Sequence, residues 1–234
     1  MEKLGSRHQN LDQKVYFALK AMIIERKLSP GMKIIQDKLA QDLGVSRTPL
    51  VNALKKLEHE KLIAAIPRRG FFVRLFSAQE MVQIFELREV LEGLAARRTA
   101  LEATDAQLKK IRGYFQGFQQ PEQLEDVKKY AHEDREFHAA LLEIGGKGML
   151  ADILETYNII SLSYQVMMQE GLVRHPRETL QEHLDLIDAI CQRDAARAEM
   201  AIRKHLKSSR ERLEQIVKER SASQPNHSDV PYYA

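Results

Sequence analysis

Cys191 is the only cysteine in this chain, and a single thiol excludes an intramolecular disulfide. Long apolar runs are missing as well: none approaches the ~20 residues that a membrane-spanning helix needs. Residues 1–10 are polar and lack the apolar centre of a secretory leader, so a cytoplasmic location is expected. Phosphate-loop chemistry is also absent. Gly145-Gly146-x-Gly148 follows no strand pattern and leads into no Gly-Lys-Ser/Thr, the arrangement that cradles a nucleotide phosphate. There is no internal repeat and no low-complexity tract. What is left is an ordinary globular composition, 44% hydrophobic and 29% charged, in 234 residues, enough for two small domains.

Net charge is only +3, but it is unevenly spread. Residues 1–75 hold 15 Lys+Arg against 7 Asp+Glu, whereas residues 76–234 hold 21 against 26. A basic first third on an acidic remainder suits a module for a polyanion joined to something else.

Local patterns divide the chain in the same place. Val15, Leu19, Met22 and Ile23 recur at helical spacing within 11–27, before the turn signal Ser29-Pro30-Gly31. A short helix is predicted over 36–43, turning inward Leu39, Ala40 and Leu43, with Gly44 at a left-handed C′ position. Ser46 is the expected cap of a third helix, with Pro49 in its first turn and Leu50, Ala53, Leu54 and Leu57 inward. Two apolar runs, 62–66 and 71–73, flank Pro67-Arg68-Arg69-Gly70 and predict a β-hairpin with two arginines at its tip. From Ser77 onward only helices are expected: 77–101, with Met81, Ile84, Phe85, Leu87, Leu91 and Leu94 periodic, then 104–118, 121–144, 149–169, 176–192 and 194–220. Ser77 and Glu80 have capping-box spacing. The polar residues 221–234 are expected to form a disordered tail. The predicted fold is therefore mainly α: a winged helix-turn-helix over 1–75 with a small β-hairpin wing, and an antiparallel helical bundle over 76–220.

Helix, short helix, glycine turn, helix and basic hairpin, in that order, point to DNA. The third helix would enter the major groove through its N-terminal residues, here Ser46, Arg47 and Thr48. Arg47 has the reach for a guanine edge or a phosphate, and the two hydroxyls suit phosphate oxygens. Arg68, Arg69 and Gly70 at the wing tip would lie on the backbone or in the minor groove. Leu39-Ala40-x-x-Leu43-Gly44-Val45-Ser46-Arg47-Thr48-Pro49, with Ala53-Leu54-x-x-Leu57 and Pro67-x-x-Gly70-x-x-Val73, resembles the N-terminal domain of GntR-family regulators over 11–75. One departure stands out: Val51-Asn52 replaces the usual Arg-Glu, removing an arginine that commonly contributes to DNA contact.

A second constellation lies in the helical region. Asp134 and His138 are i and i+4 on one helix face. A turn at Arg193-Asp194 would set His183 and His205 at nearly one height in a helical hairpin, each roughly 16 Å from the turn. Three imidazoles and a carboxylate suit zinc, nickel, manganese or iron. Taken singly, a histidine is more often a surface or satisfied core residue than a ligand. Glu133 and Glu182, next to these residues, are expected to point along other helix faces.

An all-helical region beginning Glu86-Leu87-Arg88-x-x-Leu91-Glu92 and carrying Asp134, His138, His183 and His205 resembles the ligand domain of the FadR subgroup over 77–218. The resemblance implies one divalent metal per chain, zinc foremost, on those four residues. It also implies a small carboxylate effector above the metal, a homodimer on palindromic operator DNA, and no enzymatic activity. Arg88 matches the family arginine, and a guanidinium is suited to a carboxylate; the same arginine could instead pair with Glu92 on its own helix. Two other readings stay open at this point: a metal-dependent hydrolase tethered by its N-terminal domain, and an architectural DNA binder with a structural metal.

Overall fold

The computed structural model describes residues 6–25, 27–118, 120–154 and 172–223. The chain divides into two compact units at Phe76/Ser77.

The first unit holds α1 (Ser6–Ile24), β1 (Lys33–Ile34), α2 (Gln36–Asp42), α3 (Arg47–His59), β2 (Ile63–Ile66) and β3 (Gly70–Val73). Its core is the set the periodicity named: Val15, Leu19, Ile23, Leu39, Leu50, Leu54 and Leu57 are buried, whereas Met22 and Leu43 are half-buried. Gly44 takes φ +64°, the left-handed geometry that a tight helix-to-helix turn requires. The wing has three strands rather than two, in the order β1-β3-β2, all antiparallel, with Ile34 opposite Phe71 and Ile63 opposite Val73. A two-residue strand carries no alternation to read. β1 exists because Gly31 N–H donates to Val73 C=O and Val73 N–H to Met32 C=O.

The second unit is helical: α4 (Ala78–Glu102), α5 (Asp105–Gly113), a 3₁₀ turn (Pro121–Glu125), α6 (Val127–Gly145), α7 (Pro176–Cys191) and α8 (Ala195–Ser223), with residues 149–154 also helical. The rest of the helix expected over 149–169, and the tail from 224, lie outside the described residues. Three expectations change. First, α5 stops at Gly113 instead of running to 118. Phe115 there adopts φ +63°, its N–H donating to Glu133, and its ring packs on His183. Second, the helix expected from 121 starts at Val127, because the Asp126 side chain accepts from Lys129 N–H and caps it. Third, α4 does not bury its leucines throughout: Leu87 and Leu94 are exposed. Met81, Ile84 and Phe85 are buried as expected, but the inner face continues through Arg88, Glu92, Ala95, Ala96, Thr99 and Ala100. Small residues let α6 and α8 approach closely. A Cβ on Gly145 of α6 would lie 1.9 Å from the Ala95 carbonyl oxygen.

Two serines head helices with different chemistry. Ser77 Oγ accepts from Glu80 N–H (3.1 Å) while Glu80 accepts from Ser77 N–H (2.9 Å), a complete capping box on α4. Ser46 occupies the cap position of α3, but its side chain makes no capping hydrogen bond. Ser77→Ala is therefore expected to cost about 1 kcal/mol in urea unfolding, and Ser46→Ala less than about 0.5 kcal/mol.

Candidate functional site

In the first unit, Ser46, Arg47 and Thr48 are all exposed at the start of α3. Arg47 is ion-paired with Asp37 of α2 at 2.6 Å, both side chains remaining in water. Arg68 and Arg69 are exposed at the hairpin tip, where Arg68 takes φ +63° and Gly70 φ +95°. The turn thus needs glycine at 70, and the Arg69 guanidinium lies over the Phe72 ring, 5.4 Å from its centroid. Asn52 is committed within the unit, its amide donating to Asp12 of α1 at 2.9 Å.

In the second unit, the fold brings three of the four residues with ligand spacing to one point. One ring nitrogen from each of His138 (α6), His183 (α7) and His205 (α8) lies within 4.8 Å of the others, all three side chains being buried. The turn at Arg193, φ +59°, folds α7 and α8 back on each other. The His183 and His205 rings consequently lie 4.5 Å apart. Asp134, one turn before His138, puts Oδ1 at 3.2 Å from His183 Nε2. That nitrogen is sealed from solvent and has no hydrogen-bond partner.

The other nitrogen of each ring is occupied. His138 Nδ1 is 3.0 Å from Glu92 Oε2, and His205 Nδ1 is 2.8 Å from Glu182 Oε2. His183 Nδ1 is 2.9 Å from the Tyr130 hydroxyl, which is 2.9 Å from Thr179 Oγ1. Glu182 therefore does not point along another face, as its place beside His183 suggested; it reaches α8. Glu133 does point away, towards Phe115 N–H. Behind His183 stands an aromatic wall: Phe115 stacks on the ring at 4.6 Å and 7°, with Phe137 edge-on at 5.6 Å.

Burial, the largest influence, drives His183 well below its ordinary pKa, and the positive neighbours His205, His138 and Arg174 add to it. His205 is also lowered, burial outweighing the lift from Glu182. His138 moves upward: burial pushes it down, but the hydrogen bond and charge of Glu92, with Asp134, prevail. Burial alone would raise both glutamates, yet each is held at about 2, Glu92 by Arg88 and His138, Glu182 by His205 and Arg174.

A small cavity of about 30 Å³ opens beside His138 and His205, with Arg88, Asp134, Arg174, Thr179 and Ser209 also in its polar lining and Phe85, Leu172 and Leu206 among its apolar walls. Arg88 is 5% exposed and does two things at once: it lines the cavity, and its Nε donates to Glu92 Oε1 at 2.5 Å. Arg174 is the residue that sequence reasoning missed. It precedes α7 in a segment with no periodicity, and only the fold turns its guanidinium inward, onto Glu182, Ser209 Oγ (3.1 Å) and the His205 carbonyl (3.0 Å).

Comparison with known proteins decides the family. The pattern of "Bacterial regulatory proteins, gntR family" matches residues 11–73, and that of the "FCD domain" matches 83–208, more than half of the chain. The chain belongs to the GntR family of regulators, with a C-terminal FCD domain. It is 26% identical to the HTH-type transcriptional repressor RspR of Escherichia coli, over 91% of this chain and 93% of that one. It is 28% identical to the HTH-type transcriptional regulator YdhC of Bacillus subtilis, over 87% and 91% respectively. Escherichia coli McbR/YncC has the same fold, with TM-score 0.69, 20% identity, and coverage of 88% of this chain and 98% of that one. This GntR regulator is thus a DNA-binding transcription regulator with a ligand-binding FCD domain, and its relatives are regulators rather than enzymes. No helix among its described residues is long and apolar enough to cross a membrane.

Proposed function

We propose that this regulator senses a small carboxylate through a divalent cation held by Asp134, His138, His183 and His205, and that occupancy of the cavity changes its affinity for operator DNA. The observation that carries the reading is the buried, unpartnered His183 Nε2 facing the Asp134 carboxylate. Thr179 Oγ1 lies 3.4 Å from the Pro176 carbonyl; when it donates there it accepts from Tyr130, the Tyr130 hydroxyl accepts from His183 Nδ1–H, and Nε2 is left a bare lone pair 3.2 Å from a carboxylate oxygen. Two acceptors buried together repel unless a cation stands between them. The nitrogens of His138 and His205 converge on the same place, and nitrogen donors with one carboxylate fit zinc, with nickel, manganese or iron as alternatives. Such an ion would supply positive charge and open coordination positions at the floor of the cavity. Arg88 and Arg174 add positive charge to the lining, which favours an anion, and the apolar walls favour a compact carbon skeleton.

DNA binding falls to Ser46, Arg47 and Thr48 on α3 and to Arg68, Arg69 and Gly70 on the wing. In the proposed assembly a homodimer sets two α3 helices into successive major grooves of a palindromic site. Val51 offers no side-chain hydrogen bond, so operator choice is assigned to Arg47 and the wing. The test is fluorescence anisotropy on DNA flanking the regulator's own gene, with Zn²⁺ and a panel of small acids. Specific binding that shifts with one acid is expected. Arg47→Ala should weaken it, and Arg88→Ala should remove the acid response but not DNA binding. Absence of specific binding at modest salt would overturn the reading, whereas affinity indifferent to every acid would favour an architectural role.

A further inference from the structure

We propose that Glu92 and Glu182 are positioning residues for the cation: each orients one ligand imidazole, and each is itself fixed by a pocket arginine. The inference rests on the metal reading above, but on different atoms. Two relays of the same construction run outward from the three-histidine cluster. In one, His138 Nδ1 meets Glu92 Oε2 at 3.0 Å, and Glu92 Oε1 accepts from Arg88 Nε at 2.5 Å. In the other, His205 Nδ1 meets Glu182 Oε2 at 2.8 Å, and the same carboxylate accepts from Arg174 Nη1 at 3.0 Å and Nη2 at 2.5 Å. Each glutamate stands on a different helix from the histidine it holds: α4 against α6, and α7 against α8.

A carboxylate paired with a guanidinium only accepts, so it favours the neutral imidazole form that carries its proton on Nδ1 and leaves Nε2 bare for a metal, although Arg174 Nη2 also lies 3.3 Å from His205 Nδ1. The arginines also link the histidines to the cavity, since Arg88 and Arg174 both belong to its lining.

Glutamine tests this sharply, because it keeps the shape but has one acceptor for two donors. If the arginine takes the amide oxygen, the amide NH₂ faces Nδ1, and the imidazole proton moves to Nε2, where a metal cannot bind. The experiment strips the full-length protein with a chelator and titrates it with Co²⁺ alone, followed by its visible absorption. Glu92→Gln and Glu182→Gln are each expected to weaken Co²⁺ binding by about 10- to 100-fold, with the melting temperature of the metal-free protein little changed. Selective ¹⁵N-histidine NMR of the metal-free wild type should show His138 and His205 protonated on Nδ1, with the matching ring moved to the Nε2–H form in each variant. Wild-type affinity in both variants, or Nε2–H in the wild type, would overturn the positioning role while leaving the metal site standing. Failure of the wild type to bind Co²⁺ would overturn the metal reading itself. Should either variant not fold, the tautomer in the wild type still decides.

Discussion

Replacing His183 and His205 together by alanine is expected to abolish divalent-metal binding. Both side chains are buried, on the two arms of the α7–α8 hairpin. Their loss removes two of the four proposed donors and leaves only Asp134 and His138 on α6, too few to hold a transition metal in competition with water. Elemental analysis of purified protein should fall from about one ion per chain to none. Wild type treated with a chelator should behave alike in thermal unfolding. An ion at a hundred times its dissociation constant stabilises the fold by about 2.7 kcal/mol, roughly 5–10 °C for a unit of this size. Stoichiometric metal in the double variant would show that the ligands lie elsewhere.

Gly145→Ala is expected to have the largest effect on stability of any single methyl added to the described residues. The new Cβ would stand 1.9 Å from the Ala95 carbonyl oxygen and 2.7 Å from Thr99 Oγ1, distances that non-bonded atoms do not tolerate. The obstacle is helix backbone, not the end of a flexible side chain, so α4 and α6 must separate. Thr99 Oγ1, which joins them by lying 3.0 Å from Ala95 C=O and 3.1 Å from Leu141 C=O, would lose that bridge. A cost of about 3 kcal/mol or more follows. Gly113→Ala is the control: no atom lies within 4 Å of its Cβ position, so the change should be neutral or slightly stabilising in the same urea titration. A Gly145→Ala protein as stable as wild type would mean that α4 and α6 do not pack as described. Because α4 carries Glu92 and α6 carries His138, the substitution should also loosen that 3.0 Å contact and lower metal affinity, which separates it from a purely remote defect.

The helices and wing that were legible in the sequence are those whose causes are local. Ser77 and Glu80 bond to each other across three residues, so the start of α4 could be read directly. Leu50, Ala53, Leu54 and Leu57 line one side of α3 because 3.6 residues make a turn. The expectations that failed had distant causes. Leu87 and Leu94 read as core because they are apolar and periodic, yet beyond Phe85 the buried face of α4 is Arg88, Glu92, Ala95, Ala96, Thr99 and Ala100. Which stripe faces inward depends on how closely the neighbouring helices come, and Gly145 and Ala95 sit where that closeness is achieved. The end of α5 was misread for a similar reason: Phe115 leaves helical geometry to stack on His183 from α7.

The chemistry divides along the same line. The sequence by itself determined the order of helices, turn and basic hairpin, the family, and the common height of His183 and His205, because a helical hairpin of near-equal arms is a matter of counting residues along 1.5 Å steps. Only the tertiary structure decided which nitrogen of each imidazole is occupied and by what. Glu92 meets His138 across 46 residues, Tyr130 meets His183 across 53, and Glu182 meets His205 across 23. No spacing rule connects residues on separate helices. Such contacts arise when α4, α6, α7 and α8 pack and a buried polar group must find its partner from whatever the neighbouring helix presents.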